Sequence, residues 1–145
     1  MAVHDPATGR EAPASTVDLR SIQISPYQRF LGLTLVKASL GTVEMRLPFR
    51  PEFLRSDGSD WLHGGVISGL IDVCGDYAVM TEVGDGTPTI DLRIDYLRPA
   101  RKGELTATGR TVKVGKTVSL ADVEIRNEEG LLIAVGRGLY ASPRR

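Results

Sequence analysis

The chain has 145 residues, enough for one domain that buries about two-thirds of the surface its unfolded form would expose. Basic and acidic residues number 18 each, so the formal net charge is zero and no global field attracts nucleic acid or an anionic membrane. The single cysteine excludes an internal disulfide, and two histidines beside it are too few for a structural zinc site, so we expect no bound metal and no oxidising compartment.

Residues 1–20 predict a mobile N-terminal arm, because proline, glycine, serine and threonine mix with charges there without a period. The arm has no apolar signal core, and no run in the chain reaches the roughly 18 apolar residues of a membrane span. We therefore expect a cytoplasmic protein without a membrane or nucleic-acid partner, folded as one domain over residues 21–145. Its first element is a helical turn from Ser25 to Leu31, since Ser25 can cap it and Pro26 suits a first helical position.

Two short runs then predict an antiparallel hairpin. Residues 33–37 and 43–47 alternate apolar and polar side chains, and Gly41 lies in the turn region between them. Pro48 and Pro51 end the second strand, and a polar loop follows over residues 50–60.

The stretch from Trp61 to Met80 predicts one long helix of about 17 residues. Its apolar residues recur at the spacings of a buried helix face: Val66, Ile67, Leu70, Ile71, Cys74, Tyr77 and Ala78. Ser68, Asp72 and Asp76 form a second, polar line along the helix. Glycines accompany that line at positions 65, 69 and 75. Because glycine in a helix is tolerated where another backbone comes close, we interpret this face as a contact with a second chain.

Four strand-like runs follow a break at residues 84–88, and they cover residues 89–97, 104–114, 117–126 and 131–140. In the first run Ile90, Leu92, Ile94 and Tyr96 share one face, which predicts a half-buried antiparallel strand. In the third run the apolar set shifts by one residue, which predicts a bulge near Ala121 and Asp122. We expect an α+β fold in which six antiparallel strands form one sheet against a single long helix.

The His-Gly-Gly sequence at the helix start predicts a site for a developing negative charge. The first N–H groups of a helix lack partners and lie at the positive end of its dipole, so Gly64 and Gly65 can present bare donors to a substrate oxygen. Asp72 lies about two turns further on, roughly 10 Å by helical rise, and can act as a base or nucleophile. His63 by itself favours a structural role. Asp76, one turn beyond Asp72, is interpreted as a solvated or interface residue.

Several separated segments together resemble one family. They are Leu62-His63-Gly64-Gly65, Asp72 nine residues after His63, the strand TIDLRIDYLRPA at residues 89–100, and KVGKT at residues 113–117. In order and spacing they are similar to the hot dog fold acyl-CoA thioesterases of the phenylacetate-degradation (PaaI-like) type, over residues 30–140. The resemblance implies a six-stranded sheet wrapped around the central helix. It also implies one continuous sheet across a homodimer, commonly paired into a tetramer, with active sites at the dimer interface.

Carried over residue by residue, the resemblance places the Gly65 N–H on the thioester carbonyl and makes Asp72 the general base or nucleophile. His63 belongs to the catalytic motif, and Gly64 lies beside the substrate. Thr89 matches a hydroxyl residue that helps to hold the attacking water. Basic turn residues match loops near the nucleotide end of CoA, which the neighbouring subunit often supplies: Arg98, Lys102, Lys113 and Lys116.

One position departs from the family. The enzymes that the chain resembles carry an Asn shortly before the His, whereas residues 55–61 contain none. Counting back from His63 puts Asp57 at that place, and counting forward from Pro51 puts Arg55 there with an insertion after it. An acid at that place would repel a hydroxide-like nucleophile, and an arginine would do the reverse. Asp57 is therefore a candidate substrate-binding residue.

These patterns predict an acyl-CoA thioesterase that hydrolyses a small or aromatic acyl-CoA, with no cofactor other than the CoA of its substrate. The alternative is a non-catalytic acyl-CoA binding or sensing protein on the same fold, which the missing Asn favours. A hydratase of this fold fits poorly because His63 lies at a helix start. Residues 109–117 are no phosphate-binding loop, since five residues separate the two glycines and no helix follows. Cys74 lies on the apolar face, where a thiol stays protonated and inert.

Overall fold

The structure, a computed structural model, describes residues 24–143. The predicted mobile arm over residues 1–20 lies outside the described residues. The elements follow in the order α1 (Pro26–Leu31), β1 (Thr34–Ser39), β2 (Thr42–Leu47), a 3-10 turn (Pro51–Phe53), α2 (Gly64–Val83), β3 (Thr89–Tyr96), β4 (Leu105–Lys113), β5 (Val118–Asn127) and β6 (Leu132–Ala141). Each predicted helix and strand is therefore present, with ends that differ by a few residues.

The helical turn before the first strand forms because both of its ends are capped. Ser25 Oγ accepts from Gln28 N at 3.0 Å while Ser25 N donates to Gln28 Oε1 at 3.1 Å, so a capping box satisfies two donors. Gly32 ends the helix in the left-handed conformation, with φ of 69°. Gly41 turns the β1–β2 hairpin with φ of 73°, as its place between the two runs predicted.

A single six-stranded antiparallel sheet carries the fold, with strand order β1-β2-β4-β5-β6-β3. The strands β4, β5 and β6 pair as consecutive hairpins, whereas β3 lies at the edge beyond β6. Because α2 comes between β2 and β3 in the chain, the helix carries the chain across the sheet to the edge opposite β1. Among residues 24–143 no strand pairs with the outer side of β3, so this edge can take another strand.

Helix α2 packs on one face of this sheet and supplies much of the core. The predicted apolar stripe is confirmed, because its residues from Ile67 to Ala78 are buried and Val66 is partly buried. The sheet meets it with small and branched side chains, among them Val43, Ala107 and Val123. Within the described residues, neither helix combines the length and apolarity that crossing a bilayer requires.

Strand β3 is less buried than its alternation predicts. Leu92 and Ile94 are partly buried against the core, but Ile90 and Tyr96 keep 56% and 52% of their surface exposed. Ile90 is the extra residue of an irregularity opposite β6, so it leaves the regular pleat. The half-buried strand is thus confirmed only in its middle.

Strand β5 runs without the bulge that its apolar pattern predicts. Its buried residues alternate without interruption from Ser119 to Ile125, and the extra residue of this strand pair is Val112 on β4. The prediction of a bulge near residues 121–122 is therefore wrong. It counted Val118 as a core residue, whereas the buried position is Ser119, whose hydroxyl has a hydrogen-bond partner at 2.8 Å.

Candidate active site

Helix α2 begins at a histidine cap. His63 is the N-cap residue, and its Nδ1 accepts a hydrogen bond from Gly65 N at 2.8 Å. The His63 N–H donates to Phe53 O at 2.7 Å, which fixes the cap on the preceding loop. Because Nδ1 is the acceptor, the neutral ring carries its proton on Nε2. His63 thus has a structural role at the helix start.

The two glycines after His63 differ in their hydrogen bonding. The Gly65 N–H is occupied by the His63 ring, whereas the Gly64 N–H donates to no acceptor in the described part of the chain. Placing the thioester carbonyl on Gly65 therefore selects a donor that is already used. The open donor is Gly64, in the first turn where the helix dipole is positive.

Tyr96, to which the sequence assigned no role in the site, lies over this helix start. Its hydroxyl donates to Gly64 O at 3.0 Å, and its ring atoms stand 3.4 to 3.6 Å from where a Cβ on Gly64 would be. That carbonyl belongs to the same peptide as the Gly65 N–H, so Tyr96 and His63 hold the peptide from both ends. A tyrosine at the end of the predicted strand, on its helix-facing side, was the available signal.

At the other end of β3, the structure brings together Asp72 and Thr89, as the resemblance implies. Thr89 Oγ1 donates to Asp72 Oδ1 at 2.7 Å, and the pair is open to solvent. The buried Tyr140 donates from its hydroxyl to Asp72 O at 3.1 Å, which fixes the helical turn that carries the carboxylate. Asp72 is therefore anchored through its backbone and oriented through its side chain.

Asp76 is not solvated, which was one of the two interpretations from the sequence, and its role at an interface stays a prediction. Its Oδ1 accepts from the Thr87 hydroxyl and, at 3.1 Å, from Thr87 N, and Thr87 is only 5% exposed. Burial raises the pKa of Asp76 to about 6, although the bonds from Thr87 lower it, and the nearby Asp72 raises it further. The sequence did not predict this contact, because Thr87 follows a Gly-Asp-Gly break, which is typical of an exposed loop.

Two of the three glycines along the polar line of α2 make room for tyrosines of the same chain. A Cβ on Gly69 would meet the Tyr27 hydroxyl, with ring carbons at 3.2 Å. A Cβ on Gly75 would meet the Tyr140 hydroxyl, with the ring carbon that bears it at 3.0 Å. These two glycines therefore do not require a second chain, and the contact of this face with another chain stays a prediction that they do not support.

Contacts between Arg55 and Trp61 close the base of the loop before His63. Arg55 N donates to Trp61 O at 3.0 Å, and the Arg55 guanidinium lies 4.3 Å from the centre of a Trp61 ring. Residues 56–60 form the part of the loop beyond the contact of Arg55 with Trp61, and Asp57 is exposed there. Arg55 therefore lies at the base of the loop and Asp57 in its exposed part. Both alignments with the family's Asn stay predictions.

The four basic candidates lie in two turns at opposite ends of β4. Arg98 donates to a backbone carbonyl of β6 at 2.9 Å, and Lys102 pairs with Asp60 at 3.1 Å. Lys113 ends β4, and Lys116 lies in the hairpin after it. A strand of that length spans about 26 Å. One chain therefore does not gather all four at one site.

Cys74 is fully buried between α2 and the sheet. A Cβ on Gly109 of β4 would stand 3.0 Å from the Cys74 sulfur, so the strand lies directly on the thiol. Burial raises the pKa of Cys74, and the thiol stays protonated. It is inert, as its place on the apolar face predicted.

The site residues thus form two groups along α2, each completed by a residue of β3. At the start of α2 an open N–H and the helix dipole can stabilise an oxygen that becomes negative. Asp72 with Thr89 can take a proton from a bound water. The two groups are about 12 Å apart by helical rise, a wide gap for one carbonyl and one water to bridge.

Comparison with known proteins points to one chemistry. Residues 61–134 match the family model described as the thioesterase superfamily. The chain is 36% identical over 115 residues to human acyl-coenzyme A thioesterase 13. The alignment covers 77% of this chain and 81% of that protein. It is 32% identical over 133 residues to the medium/long-chain acyl-CoA thioesterase YigI of Escherichia coli K12, covering 79% and 84%.

Solved structures agree in fold. The chain is similar to zebra fish thioesterase superfamily member 2, with a TM-score of 0.76, 26% identity and coverage of 86% of this chain and 93% of that one. It is also similar to the E. coli PaaI protein from the phenylacetic acid degradation operon, with a TM-score of 0.74, 24% identity and coverage of 83% and 86%. At that identity the likeness to PaaI concerns the fold alone.

Proposed function

This chain belongs to the thioesterase superfamily, and on that premise we propose that it is an acyl-CoA thioesterase, which releases a free acid and CoA. Its six-stranded sheet with one long helix is the hot dog fold of that superfamily, so the predicted fold is confirmed. The observation that carries the proposal is the hydrogen bond of 2.7 Å between Thr89 and Asp72, on a helix that starts with an open N–H. The reaction consumes only water beside the thioester, and CoA enters as part of the substrate.

In the proposed reaction Asp72 is the general base and Thr89 places the water. The Thr89 hydroxyl donates its proton to Asp72, so its lone pairs remain to accept a hydrogen bond from water. Asp72 takes a proton from that water as the water oxygen bonds to the thioester carbon. The C–S bond then breaks, the acyl group leaves as an acid, and the CoA sulfur takes up a proton. Direct attack by Asp72, with an anhydride that water then cleaves, is the alternative route.

We assign the thioester carbonyl to the Gly64 N–H. This donor lies at the positive end of α2 and has no competing acceptor in the described chain. The next peptide is already held by His63 and Tyr96, so the helix start need not reorganise when charge develops on the oxygen. His63 and Gly65 then act by shaping the donor's surroundings.

Pairing of two chains along β3 would complete the site. β3 is an edge strand whose Thr89 end is tied to Asp72 and whose Tyr96 end is tied to Gly64. Antiparallel pairing with a second copy sets the Thr89 end of one chain beside the Tyr96 end of the other. Asp72 and Gly64 from different chains then approach one thioester. We propose this dimer, and a tetramer of two such dimers, as the resemblance implies.

The charges on the outward face of β3 support self-pairing. Asp91, Arg93 and Asp95 alternate along the exposed side of the strand. An antiparallel register that sets Arg93 of each chain opposite Asp91 or Asp95 of the other gives two pairs of opposite charges. A second copy is therefore a fitting partner for this edge.

The same pairing also accounts for the two basic turns. The Arg98 turn lies at the Tyr96 end of β3, whereas the Lys113–Lys116 hairpin lies at the other end of the sheet. Antiparallel pairing reverses one sheet relative to the other, so each end of the dimer carries one basic turn from each chain. We propose that Arg98 and Lys102 of one chain, with Lys113 and Lys116 of the other, face the nucleotide end of CoA.

Within the family we propose the phenylacetate-degradation subtype, cytoplasmic, with a small or aromatic acyl group. Tyr27 supports this choice, because its ring stands over Gly69, between the helix start and Asp72. The ring reduces the space for an acyl group along this face of α2. A short or flat acyl group suits such a space better than a flexible chain does. The E. coli relative YigI is named for medium and long chains, so acyl length is the property to test.

The test is a panel of thioesters from acetyl-CoA to palmitoyl-CoA, including phenylacetyl-CoA, in which released CoA is measured with a thiol reagent. We expect turnover of the short and aromatic members and a loss of about 100-fold or more in Asp72→Ala. Equal rates in the two proteins would remove Asp72 from the reaction. Preference for the long chains would contradict the proposed acyl group but leave the thioesterase assignment intact.

A second candidate is an acyl-CoA binding protein without useful turnover. The observation in its favour is that no amide side chain occurs in residues 50–63, where the family's Asn is expected. Calorimetry with the same panel separates the two functions. Tight binding without release of CoA would support the binding protein.

A further inference from the structure

Two acids on α2 are each bound to a threonine of the segment that enters β3. Asp72 Oδ1 accepts from Thr89 Oγ1 at 2.7 Å, and Asp76 Oδ1 accepts from the hydroxyl and the N–H of Thr87. The spacings match, because four helical residues rise about 6 Å and two extended residues about 6.6 Å. Helix and strand start are thus joined by two rungs, an inner one at Asp76 and an outer one at Asp72.

The residue between the two threonines is held as well. Pro88 O accepts from Ala141 N of β6 at 2.8 Å, and the proline ring fixes φ while keeping Thr87 in an extended conformation. Residues 87, 88 and 89 are therefore each fixed by a different partner, on α2 or on β6. The neighbouring residues 85 and 86 are exposed.

The two rungs differ in their environment. Thr87 is 5% exposed and makes two bonds to Asp76, whereas Thr89 is exposed and makes one side-chain bond to Asp72. The inner rung can therefore persist while the outer one exchanges its bond with water or substrate. A buried anchor next to an exposed reacting group is an arrangement that sets the position of the reacting group.

We propose that Asp76 is a positioning residue for the hydrolysis proposed above: through Thr87 it fixes the segment that presents the Thr89 hydroxyl to Asp72 and to the attacking water. This inference rests on the proposed function. It gives a role to the second acid of the helix, which does not itself touch the substrate.

The charge state of Asp76 bears on the strength of the inner rung. Hydrogen bonds from an N–H and an O–H are stronger to a carboxylate than to its protonated form. The titratable groups that interact with Asp76 are Asp72 and Tyr77 on its own helix and Tyr140 on β6. Burial raises the pKa of Asp76 to about 6, so the rung tightens as the pH rises through that value.

A double-mutant cycle between Asp76 and Thr89 tests the proposal. We expect Asp76→Ala to lower kcat by about tenfold or more with little change in KM, because the water is misplaced but CoA is still bound. In a Thr89→Val background the same change should lower kcat no further. Additive losses would overturn the proposal, since Asp76 would then act independently of Thr89.

Two further variants separate positioning from general instability. We expect the kcat of the wild type to rise about pH 6. Asp76→Asn keeps the acceptor oxygen but does not titrate, so we expect a folded enzyme without this rise. Thr87→Ser keeps both donors, so its kcat should equal that of the wild type. Thr87→Val lacks the hydroxyl donor, so its kcat should be lowered as in Asp76→Ala. A pH profile of Asp76→Asn that matches the wild type in that range would count against the inner rung.

The proposal and the proposed function fail in different ways. If the wild type releases CoA from none of the thioesters, the function fails. Hydrogen exchange still tests the rung in that case, because the Thr87 amide should exchange slowly in the wild type and faster in Asp76→Ala. Equal exchange at Thr87 in both proteins would overturn the tether itself.

Discussion

Gly64 and Gly65 are adjacent glycines in the first turn of α2, yet only Gly64 leaves its N–H open within residues 24–143. His63 has φ of −69° and ψ of 135°, an extended conformation that a residue before proline readily adopts. Proline is also well tolerated at the first helical position, where its missing N–H breaks no helical bond. One substitution can therefore remove the open donor while preserving the helix.

We expect Gly64→Pro to lower kcat by about 100-fold or more, because it deletes the donor to the thioester oxygen. The matched control is Gly64→Ala, which keeps the N–H and places a Cβ 3.4 Å from the Tyr96 ring. Steady-state kinetics of the two variants, with thermal melts, provide the measurement. If both variants lose the same activity, the Gly64 N–H is not the donor.

Asp76 predicts a pH dependence of stability. Its pKa is about 6 in the folded chain, against roughly 3.9 for an aspartate in an unfolded chain, so between these values the folded state binds more protons. The free energy of unfolding therefore falls as the pH rises from about 4 to 6, by an amount on the order of 2 kcal/mol. Urea melts of Asp76→Asn should lack this fall. Asp85→Asn, in the exposed loop, should keep it, and parallel curves for wild type and Asp76→Asn would contradict the assignment.

The hydrogen bonds of the candidate site were only partly predictable. The resemblance assigns Asp72 and Thr89 to the same water, and the structure joins them by a bond of 2.7 Å. The capture of the Gly65 N–H by the His63 ring depends on a side-chain rotamer, which no spacing in the sequence encodes. The burial of Asp76 depends on how a loop folds back over a helix, and loop composition alone predicts the opposite.

At the scale of elements, α2 is shaped by what packs on its glycines. Gly75 faces the fully buried Tyr140, whose ring is enclosed in the core, whereas Gly69 faces Tyr27, which is half exposed. The same substitution should therefore have different consequences at the two positions of one helix.

In Gly75→Ala the added Cβ would collide with the Tyr140 hydroxyl, at a cost of about 1 to 3 kcal/mol. The gain in helix propensity from glycine to alanine offsets roughly 1 kcal/mol of this, so we expect the free energy of unfolding to fall by up to about 2 kcal/mol. Gly69→Ala should be neutral or stabilising, since Tyr27 can swing outward. Gly86→Ala has no atom within 4 Å of its Cβ and is the control for the substitution itself. Denaturant melts measure the free energies of unfolding of these variants. A Gly75→Ala protein as stable as Gly69→Ala would show that Tyr140 is not fixed.

Periodicity predicted elements well where a strand lies inside the sheet and less well where it does not. The hairpin of β1 and β2 and the stripe on α2 follow simple alternation, and both are present. β3 fails at its ends because an edge strand is covered on one side only, so Ile90 and Tyr96 remain exposed. In β5 a buried serine hid the true core face, since a hydrogen-bonded hydroxyl carries no apolar signal.

For the whole molecule, the edge position of β3 supports the proposed assembly of the site from two chains. The strand order places β3 at the edge, with Thr89 and Asp72 at one end and Tyr96 and Gly64 at the other. The order of strands was not predictable from local pattern, because it depends on which edge the crossover through α2 reaches. The resemblance supplied a dimer, and the two tied ends of β3 supply a physical reason for it.

Mixing two inactive variants tests whether each site is shared between chains. We expect Asp72→Asn and Gly64→Pro each to be inactive alone. After joint refolding, a mixed dimer has one site with both native residues, so about a quarter of the wild-type activity should return. Refolding each variant by itself is the control. No recovery from a mixture in which mixed dimers are demonstrated would place Gly64 and Asp72 of one chain in the same site.

The buried thiol of Cys74 has a practical consequence for measuring all of these variants. A reagent that detects CoA by its sulfur does not react with a protonated cysteine sealed beneath β4, so the folded protein adds no background to the assay. The same reagent reacts with Cys74 once the helix lifts from the sheet. The extent of labelling without substrate therefore reports how readily α2 separates from the sheet. In each variant, a loss of activity can thus be separated from a loss of structure with the same reagent.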